Sequence, residues 1–294
     1  MKKIAFGFLI LALLGFTQTA MAGDEYNFEL ASGWRLDGAV AKKTATIYTG
    51  FSGTKNSVTD EALDAWTSVI MIAGEFSLFG SDEDMNFSVF GEWGGTYLAT
   101  GAAHPADPLL RDREFTGFND AIFGAKLQLM KTKLFTFSAF LKGQLPIGKA
   151  ELSVDDYIPV SLGGSFASAL LATTPLSVGI QGTIDFKMIF ATEDDDPDHF
   201  NFHALIEGWV LLAENFLAIR AGLEFDYITA DASSTAPGID DQSYNIYGEI
   251  QLGMGLFLRV ATPISVDENI LQRIKGIYEV GELTITLGYT LFFN

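Results

Sequence analysis

Long segments in which apolar and polar residues alternate dominate this 294-residue chain. Between Leu176 and Phe190 the even-numbered residues are mainly apolar, whereas the odd-numbered ones include serine, glutamine, threonine, aspartate and lysine. The segment from Phe135 to Leu145 alternates in the same way. Because successive side chains of a strand point to opposite faces, both segments are predicted to be strands with one apolar and one polar face.

The length of these segments distinguishes a soluble β-sandwich from a transmembrane β-barrel. Strands of a soluble sandwich usually have about five or six residues, whereas a tilted strand needs about 9–11 residues to cross a bilayer. The two segments contain 11 and 15 residues. Several aromatic residues stand near segment ends on the apolar face, as in the interfacial girdles of membrane barrels; they are Tyr97, Tyr227, Tyr244, Tyr289 and Phe293. Both features favour a transmembrane β-barrel over a sandwich.

The connections between the segments alternate between short turns and longer loops. Eleven strands are predicted at 66–79, 86–98, 119–130, 133–145, 159–171, 176–190, 199–212, 215–229, 243–252, 255–264 and 282–293, with a twelfth before residue 52. Short periplasmic turns that alternate with long external loops are typical of outer-membrane barrels, and closure leaves no sheet edge unpaired in lipid. We therefore predict a closed antiparallel transmembrane β-barrel of about 12 strands.

The first strand has two competing positions. One candidate is marked by apolar or aromatic residues that share one parity, namely Tyr26, Phe28, Leu30, Trp34, Leu36 and Val40, and a second candidate strand runs from Ala45 to Phe51. If both segments span the membrane, the barrel has 14 strands. Otherwise, one of the two is a periplasmic extension or a segment within the lumen.

The first 22 residues are typical of a cleaved signal peptide. Lys2 and Lys3 precede an apolar run from Ile4 to Phe16, and Ala20-Met21-Ala22 forms an A-x-A cleavage site. We therefore predict that residues 1–22 are removed after export and that residues 23–294 form the barrel. The formal net charge of −19 then becomes −21 after the loss of two lysines, which excludes nucleic acid as a partner. The absence of cysteine excludes a disulfide framework and thiolate metal sites.

The C-terminal segment resembles the assembly signal of bacterial outer-membrane barrels. In Thr286-Leu287-Gly288-Tyr289-Thr290-Leu291-Phe292-Phe293, a polar residue and a glycine precede hydrophobic residues of the lipid face, with Asn294 after the last aromatic. The elements of the signal are Thr286, Gly288, Leu291 and Phe293. The resemblance implies a location in the bacterial outer membrane, reached through the periplasm, with the barrel assembly machinery, membrane lipid and lipopolysaccharide as partners.

Charged residues on the polar face of each predicted strand are expected to line the lumen. The candidates are Glu75, Glu92, Asp120, Lys126, Lys142, Asp185, Lys187, Glu207, Arg220, Glu224, Asp226, Glu249 and Arg259. Charges of both signs are typical of a water-filled pore or of a closed interior that is cross-linked by ion pairs. The eight acidic residues outnumber the five basic ones, so an open pore is predicted to prefer cations.

These features predict a channel or transporter for the passive passage of small solutes. The alternatives are a closed barrel that serves as a structural or adhesive anchor and a gated path for apolar compounds, to which the inward aromatics Phe140, Trp209, Tyr247 and Phe292 would contribute. A barrel hydrolase is less favoured, because the His-x-Ser pattern of lipid-acting barrels does not occur at any of the three histidines. The chain is therefore predicted not to be an enzyme.

No cofactor or metal ion is predicted. His199, His203 and Glu207 share the inward parity, but four residues of a strand span about 13 Å, too far for one metal ion to bind both histidines. The acidic run from Glu193 to Asp198 is predicted to be a solvated external loop. A calcium site or a cation-bridged contact to lipopolysaccharide is the alternative, although the run lacks the alternating order of a hand-type calcium loop. The transported solute and the oligomeric state are not encoded in any motif that we find.

Overall fold

The structure is a computed structural model that describes residues 33–54, 64–78, 85–101, 113–132, 134–148, 157–173, 176–191, 199–212, 216–230, 239–264 and 283–293. The predicted signal peptide, the acidic run at 193–198 and the first part of the competing segment from Tyr26 lie outside these residues. Within the described part of the chain, no helix is long and apolar enough to cross a membrane.

The described residues form thirteen strands in one antiparallel sheet. They are β1 (Thr44–Thr54), β2 (Asp64–Ser77), β3 (Asn86–Gly101), β4 (Arg113–Phe118), β5 (Ala121–Lys131), β6 (Phe135–Leu145), β7 (Tyr157–Thr173), β8 (Leu176–Ala191), β9 (His199–Leu212), β10 (Leu217–Ala230), β11 (Ile239–Leu252), β12 (Leu256–Ile264) and β13 (Leu283–Phe292). The sheet closes because β1 pairs with both β2 and β13, while β2 also pairs with β3.

The strands β4 and β5 together form one crossing of the barrel wall. β4 pairs with the upper part of β3 from Gly95 to Thr100, and β5 pairs with its lower part from Asn86 to Glu92. Only Asn119 and Asp120 separate β4 from β5, so the pair is one crossing with an interruption. The barrel therefore has twelve crossings, which confirms the prediction of a closed antiparallel barrel of about 12 strands.

The predicted first strand is resolved in favour of the second candidate. The segment from Ala45 to Phe51 lies within β1, whereas residues 33–43 belong to no strand and run inside the barrel. Of the alternatives for the earlier segment, the lumen position holds for its described part, and a barrel of 14 strands is wrong. Several other strands are longer than predicted at their loop ends: β11 begins at Ile239 rather than 243, and β4 extends a crossing that we expected to start at 119.

Burial in this barrel is inverted relative to a soluble protein. Large apolar side chains cover the outer face; Ile70 and Leu162, for example, are 63% and 62% exposed. Polar residues such as Lys126, Gln128 and Ser138 are fully buried on the inner face. An outer apolar face and an inner polar face are the arrangement that a barrel in lipid requires. We call the end that carries the short connections the short-turn end and the opposite end the long-loop end.

Candidate solute pathway in the barrel lumen

An eleven-residue segment occupies the lumen near the short-turn end. This segment, Gly33–Lys43, is called the plug below; it leads directly into β1. Leu36, Ala39, Val40, Ala41 and Lys42 are buried. The backbone amide of Phe293 donates to the carbonyl of Lys43, so the base of the plug is fixed beside the start of β1. None of the described plug residues pairs with a strand of the wall, so side chains hold the plug in place.

The backbone of the plug is satisfied by polar side chains of β5 and β6. The Ala41 amide donates to Gln128 Oε1 over 3.1 Å. The Ala39 carbonyl accepts hydrogen bonds from the hydroxyls of Thr136 and Ser138. Since a buried peptide group without a partner is costly, these inward polar residues make a non-sheet segment stable inside the barrel.

A buried ion pair lies at the base of the plug. Lys126 Nζ is 3.0 Å from Glu75 Oε2, and both side chains are fully buried. Lys126 also donates to the Val40 carbonyl, and Glu75 accepts from the Lys42 amide. The Lys42 ammonium turns back to the carbonyls of Gly33 and Arg35. This network joins β2 and β5 to the plug.

The tip of the plug, residues 34–37, is held by an aromatic contact. The Trp34 ring stacks on Phe257 with centroids 5.0 Å apart and planes at 9°, and it lies 4.8 Å from the Tyr48 ring. Trp34 Nε1 donates to Glu249 Oε2 over 3.0 Å. The preceding Gly33 has a φ of 68°, where a side chain is strained, and a Cβ at this position would approach the Arg220 guanidinium. Residue 33 therefore requires glycine.

Charged residues of the plug tip pair with the wall. Arg35 lies 3.0 Å from Asp37 and 3.1 Å from Glu224, and Glu224 is also bound by Arg259. The Arg259 guanidinium lies 3.9 Å from the centre of the Tyr247 ring. Burial alone would raise the pKa of Asp37, but the positive charges of Arg35 and Lys142 lower it far below its usual value. Asp37 therefore stays ionised at physiological pH.

A cavity of about 920 Å³ extends from the plug tip toward the long-loop end. We call it the vestibule. Its lining combines aromatic rings, small polar residues and six charges, three of each sign; the charged residues are Arg35, Asp37, Glu92, Lys142, Glu224 and Arg259. The plug tip forms part of the floor through Trp34, Arg35, Leu36 and Asp37. The described lumen thus has a filled half and an open half.

The structure places the thirteen predicted lumen residues on the inner side of the sheet, where none is exposed. Most of them form pairs: Glu75 with Lys126, Lys142 with Asp185, Arg220 with Glu249, and Glu224 with Arg259. Asp226 contacts His203, Glu92 accepts from Tyr48, Glu207 from Tyr247, and Asp120 from Gln144. Lys187 lines a second cavity of about 150 Å³ together with Asp185 and Asn201.

The contribution of the plug was not predicted from the sequence. Trp34, Arg35, Asp37 and Lys42 were not among the candidate lumen residues. The only sequence signal was the uncertain first strand, for which a lumen segment was one alternative. Of the inward aromatics that were predicted, Phe140, Trp209 and Tyr247 are buried, and Phe292 packs against the cluster around Trp209.

The predicted assembly residues lie on the last strand. Thr286 is directed inward and is 8% exposed, whereas Leu291 and Phe293 are 47% and 52% exposed on the outer face. Gly288 lies directly beside the Phe257 ring. The role of these residues in assembly stays a prediction. In the described part of the chain, no group of three or more histidine, aspartate or glutamate residues is arranged to hold a metal ion.

The closed twelve-stranded wall, the apolar outer face and the polar lumen define an outer-membrane β-barrel. The chain belongs to the family described as "Putative MetA-pathway of phenol degradation", whose profile matches residues 46–262. No curated protein sequence matches the chain.

The chain is similar to solved barrel structures at low sequence identity, and the first of them shows the same fold. The COG4313 outer membrane channel from Pseudomonas putida F1 is 12% identical, with a TM-score of 0.54 over 86% of this chain and 96% of that chain. The β domain of the Bordetella autotransporter BrkA is 10% identical, with a TM-score of 0.48 over 86% and 99%. The KdgM porin, solved with disordered oligogalacturonate, is 7% identical, with a TM-score of 0.38 over 85% and 99%.

Proposed function

We propose that this protein is an outer-membrane channel for the passive passage of small solutes and that the plug controls its opening. The observation that carries the proposal is the way the plug is attached. Its described residues are held by side chains and by the base at Lys43, not by strand pairing. The plug can therefore move without breaking a backbone hydrogen bond between two strands of the wall, and the barrel stays closed toward lipid.

The cost of moving the plug is set by its hydrogen bonds to the wall. Each hydrogen bond to a neutral wall residue contributes about 0.5–1.5 kcal/mol, because water replaces the lost partner when the segment leaves. The bonds from Gln128, Thr136 and Ser138 are of this kind. The bonds that Lys126, Glu75 and Glu249 make to the plug involve a charged group and contribute about 1.5–3 kcal/mol each. The gate is therefore closed most of the time, and its opening does not require the wall of the barrel to unfold.

The open state is proposed to prefer cations. The thirteen inward wall residues comprise eight acids and five bases. The described plug adds Arg35, Lys42 and Lys43 against Asp37, so its departure removes more positive than negative charge from the lumen. The remaining acidic excess attracts cations to the path.

A second class of solute is supported by the vestibule and by the family. Trp34, Tyr48 and Phe90 give the vestibule an aromatic surface beside its charges. The family description refers to phenol degradation. Small aromatic compounds are therefore the alternative solutes, carried along the same gated path.

A reversible lock of the plug tests the channel proposal. Ala39 of the plug and Ala167 of β7 belong to one buried cluster, and the native chain has no cysteine. We would introduce Ala39→Cys with Ala167→Cys, refold the barrel and measure single-channel currents in a planar bilayer before and after reduction. We expect the oxidised form to be silent and the reduced form to show discrete steps, with a cation-selective reversal potential in a salt gradient.

The single variants Ala39→Cys and Ala167→Cys are the matched controls, and their currents should not respond to the reductant. Equal currents from the oxidised and reduced double variant would show that the plug is not the gate. Silence of the reduced form and of a variant that lacks residues 33–41 would contradict the channel and favour a closed structural or adhesive anchor.

We also propose the cellular location of the barrel and the partners that assemble it. Residues 1–22 would direct export, and the outward Leu291 and Phe293 would present the assembly signal to the barrel assembly machinery before insertion beside lipopolysaccharide. Phe293→Ala is expected to lower the amount of folded barrel in outer-membrane fractions. An unchanged amount would contradict the role of this residue in assembly.

A further inference from the structure

We propose that the wall position occupied by the Trp34 ring is a binding site for a free planar aromatic solute that carries an N–H or O–H donor. Such a solute would compete with Trp34 and displace the tip of the plug, so that the solute itself opens the path. This inference rests on the proposed channel function and specifies one recognition site within it.

The site has two aromatic walls and one hydrogen-bond acceptor. Phe257 is almost parallel to the Trp34 ring at 5.0 Å between centroids, while Tyr48 meets the ring at 47° and 4.8 Å. Glu249 Oε2 accepts the indole N–H at 3.0 Å. Offset and tilted aromatic pairs are favourable arrangements, so the site selects a flat ring with a donor at one edge.

All three groups that form the site belong to the barrel wall. Phe257 lies on β12, Tyr48 on β1 and Glu249 on β11. The Arg220 guanidinium donates to Glu249 Oε1 and also to Gln251, and so holds the carboxylate in its orientation through the oxygen that Trp34 does not use. The site therefore does not depend on the plug for its shape and persists when Trp34 leaves.

When another ring replaces Trp34, Glu249 still requires a hydrogen-bond donor. Glu249 is 4% exposed while Trp34 covers it, so a ring that takes the place of the indole buries Oε2 again and must replace the N–H that Trp34 donated. A buried acceptor without a donor is costly, particularly when it is charged. A ring without a donor fills the space but leaves this cost in place, whereas a ring with a donor removes it.

The vestibule gives a solute access to this site. Trp34 and Tyr48 both line the vestibule, so a molecule from the long-loop end reaches the edge of the site without crossing the plug. Because Trp34 is tethered to the wall through the plug, a free solute competes with a local concentration on the order of millimolar. Release of Trp34 then frees Arg35 and Asp37, which form the adjacent floor.

The test uses Trp34→Ala and indole as the probe, measured by calorimetry on the refolded full-length mature chain. We expect one indole to bind per barrel, and 1-methylindole, which has the same ring without the donor, to bind at least about tenfold more weakly because the hydrogen bond to a charged acceptor is lost. Trp93→Ala is the matched control, since Trp93 is 43% exposed on the outer face and should create no indole site.

A measurement on the unaltered chain covers the case in which Trp34→Ala does not fold. Indole at millimolar concentration should raise the open fraction severalfold in single-channel recordings, and 1-methylindole should not. Equal indole uptake by the Trp34 and Trp93 variants, or equal effects of the two indoles, would overturn the proposal. If no form of the barrel conducts, the channel function fails, and the calorimetry alone decides whether the aromatic site exists.

Discussion

The two halves of the lumen have the same kind of wall, but one half is filled by the plug and the other holds the open vestibule. At the short-turn end, the inward polar residues contact the plug, and the ion pair between Lys126 and Glu75 is fully buried. At the long-loop end, the inward charges surround an open vestibule, and the side chains of Arg259 and Glu224 are 12% and 14% exposed. The difference shows that a polar inner face does not by itself make a pore; whether chain or solvent satisfies that face decides the state.

The largest expected difference between the halves is in stability. Lys126→Met leaves the buried Glu75 carboxylate without its cation and should lower the free energy of unfolding by about 3–5 kcal/mol. The matched variant Arg259→Met should cost clearly less, because Glu224 keeps Arg35 as a partner. Urea unfolding of both refolded variants, followed by tryptophan fluorescence, measures the difference.

The double variant Lys126→Met with Glu75→Gln is the control for this comparison. It removes both charges and should recover much of the loss, since the unpaired buried charge is the main cost. Equal destabilisation by Lys126→Met and Arg259→Met would show that the two halves do not differ in solvation.

A smaller effect is expected from the hydrogen bonds that hold the plug. Thr136→Val with Ser138→Ala removes both donors to the Ala39 carbonyl and should raise the open fraction about tenfold, from roughly 1–2 kcal/mol of lost hydrogen bonding. Single-channel recording in a planar bilayer gives this fraction directly.

The control for this variant uses another pair of inward hydroxyls. Thr46 and Thr290 bond to each other at 3.0 Å across β1 and β13. Replacement of both by valine should leave the open fraction unchanged. An equal rise in the two double variants would indicate a general loosening of the barrel, contrary to a specific role of the plug contacts.

The smallest expected effect is the response of the plug tip to acid. The stabilisation from a carboxyl with a lowered pKa is fully present above its ordinary value of 3.8 and is lost only as the pH falls toward the lower, folded value. Asp37→Asn should therefore raise the open fraction by the same factor at pH 7 and at about pH 5. Convergence of the variant and the unaltered chain at pH 5 would contradict the ion pair with Arg35 as the contact that Asp37 supplies.

Much of the barrel was predictable because its cause is local. Alternation along β8, from Leu176 to Ala191, assigns each residue to one of two faces, and lipid requires one of these faces to be apolar. The interruption at Asn119 and Asp120 was not predictable, since β4 is defined by its pairing with β3 rather than by its own short sequence.

The pairing of the charges was only partly accessible. Parity placed Lys126 and Glu75 on the inner face, but they are 51 residues apart and meet because their strands flank β3. The choice between a wet pore and a cross-linked interior, left open by the sequence, has a different answer in each half of the lumen.

The sequence by itself determined the closed antiparallel barrel and the face on which each strand residue lies, because these follow from a period of two and from the demands of the membrane. Only the tertiary structure decided that residues 33–43 turn into the lumen rather than adding a strand. That outcome depends on distant partners, such as Gln128 for the Ala41 amide and Phe257 for the Trp34 ring, which become neighbours only when the barrel closes.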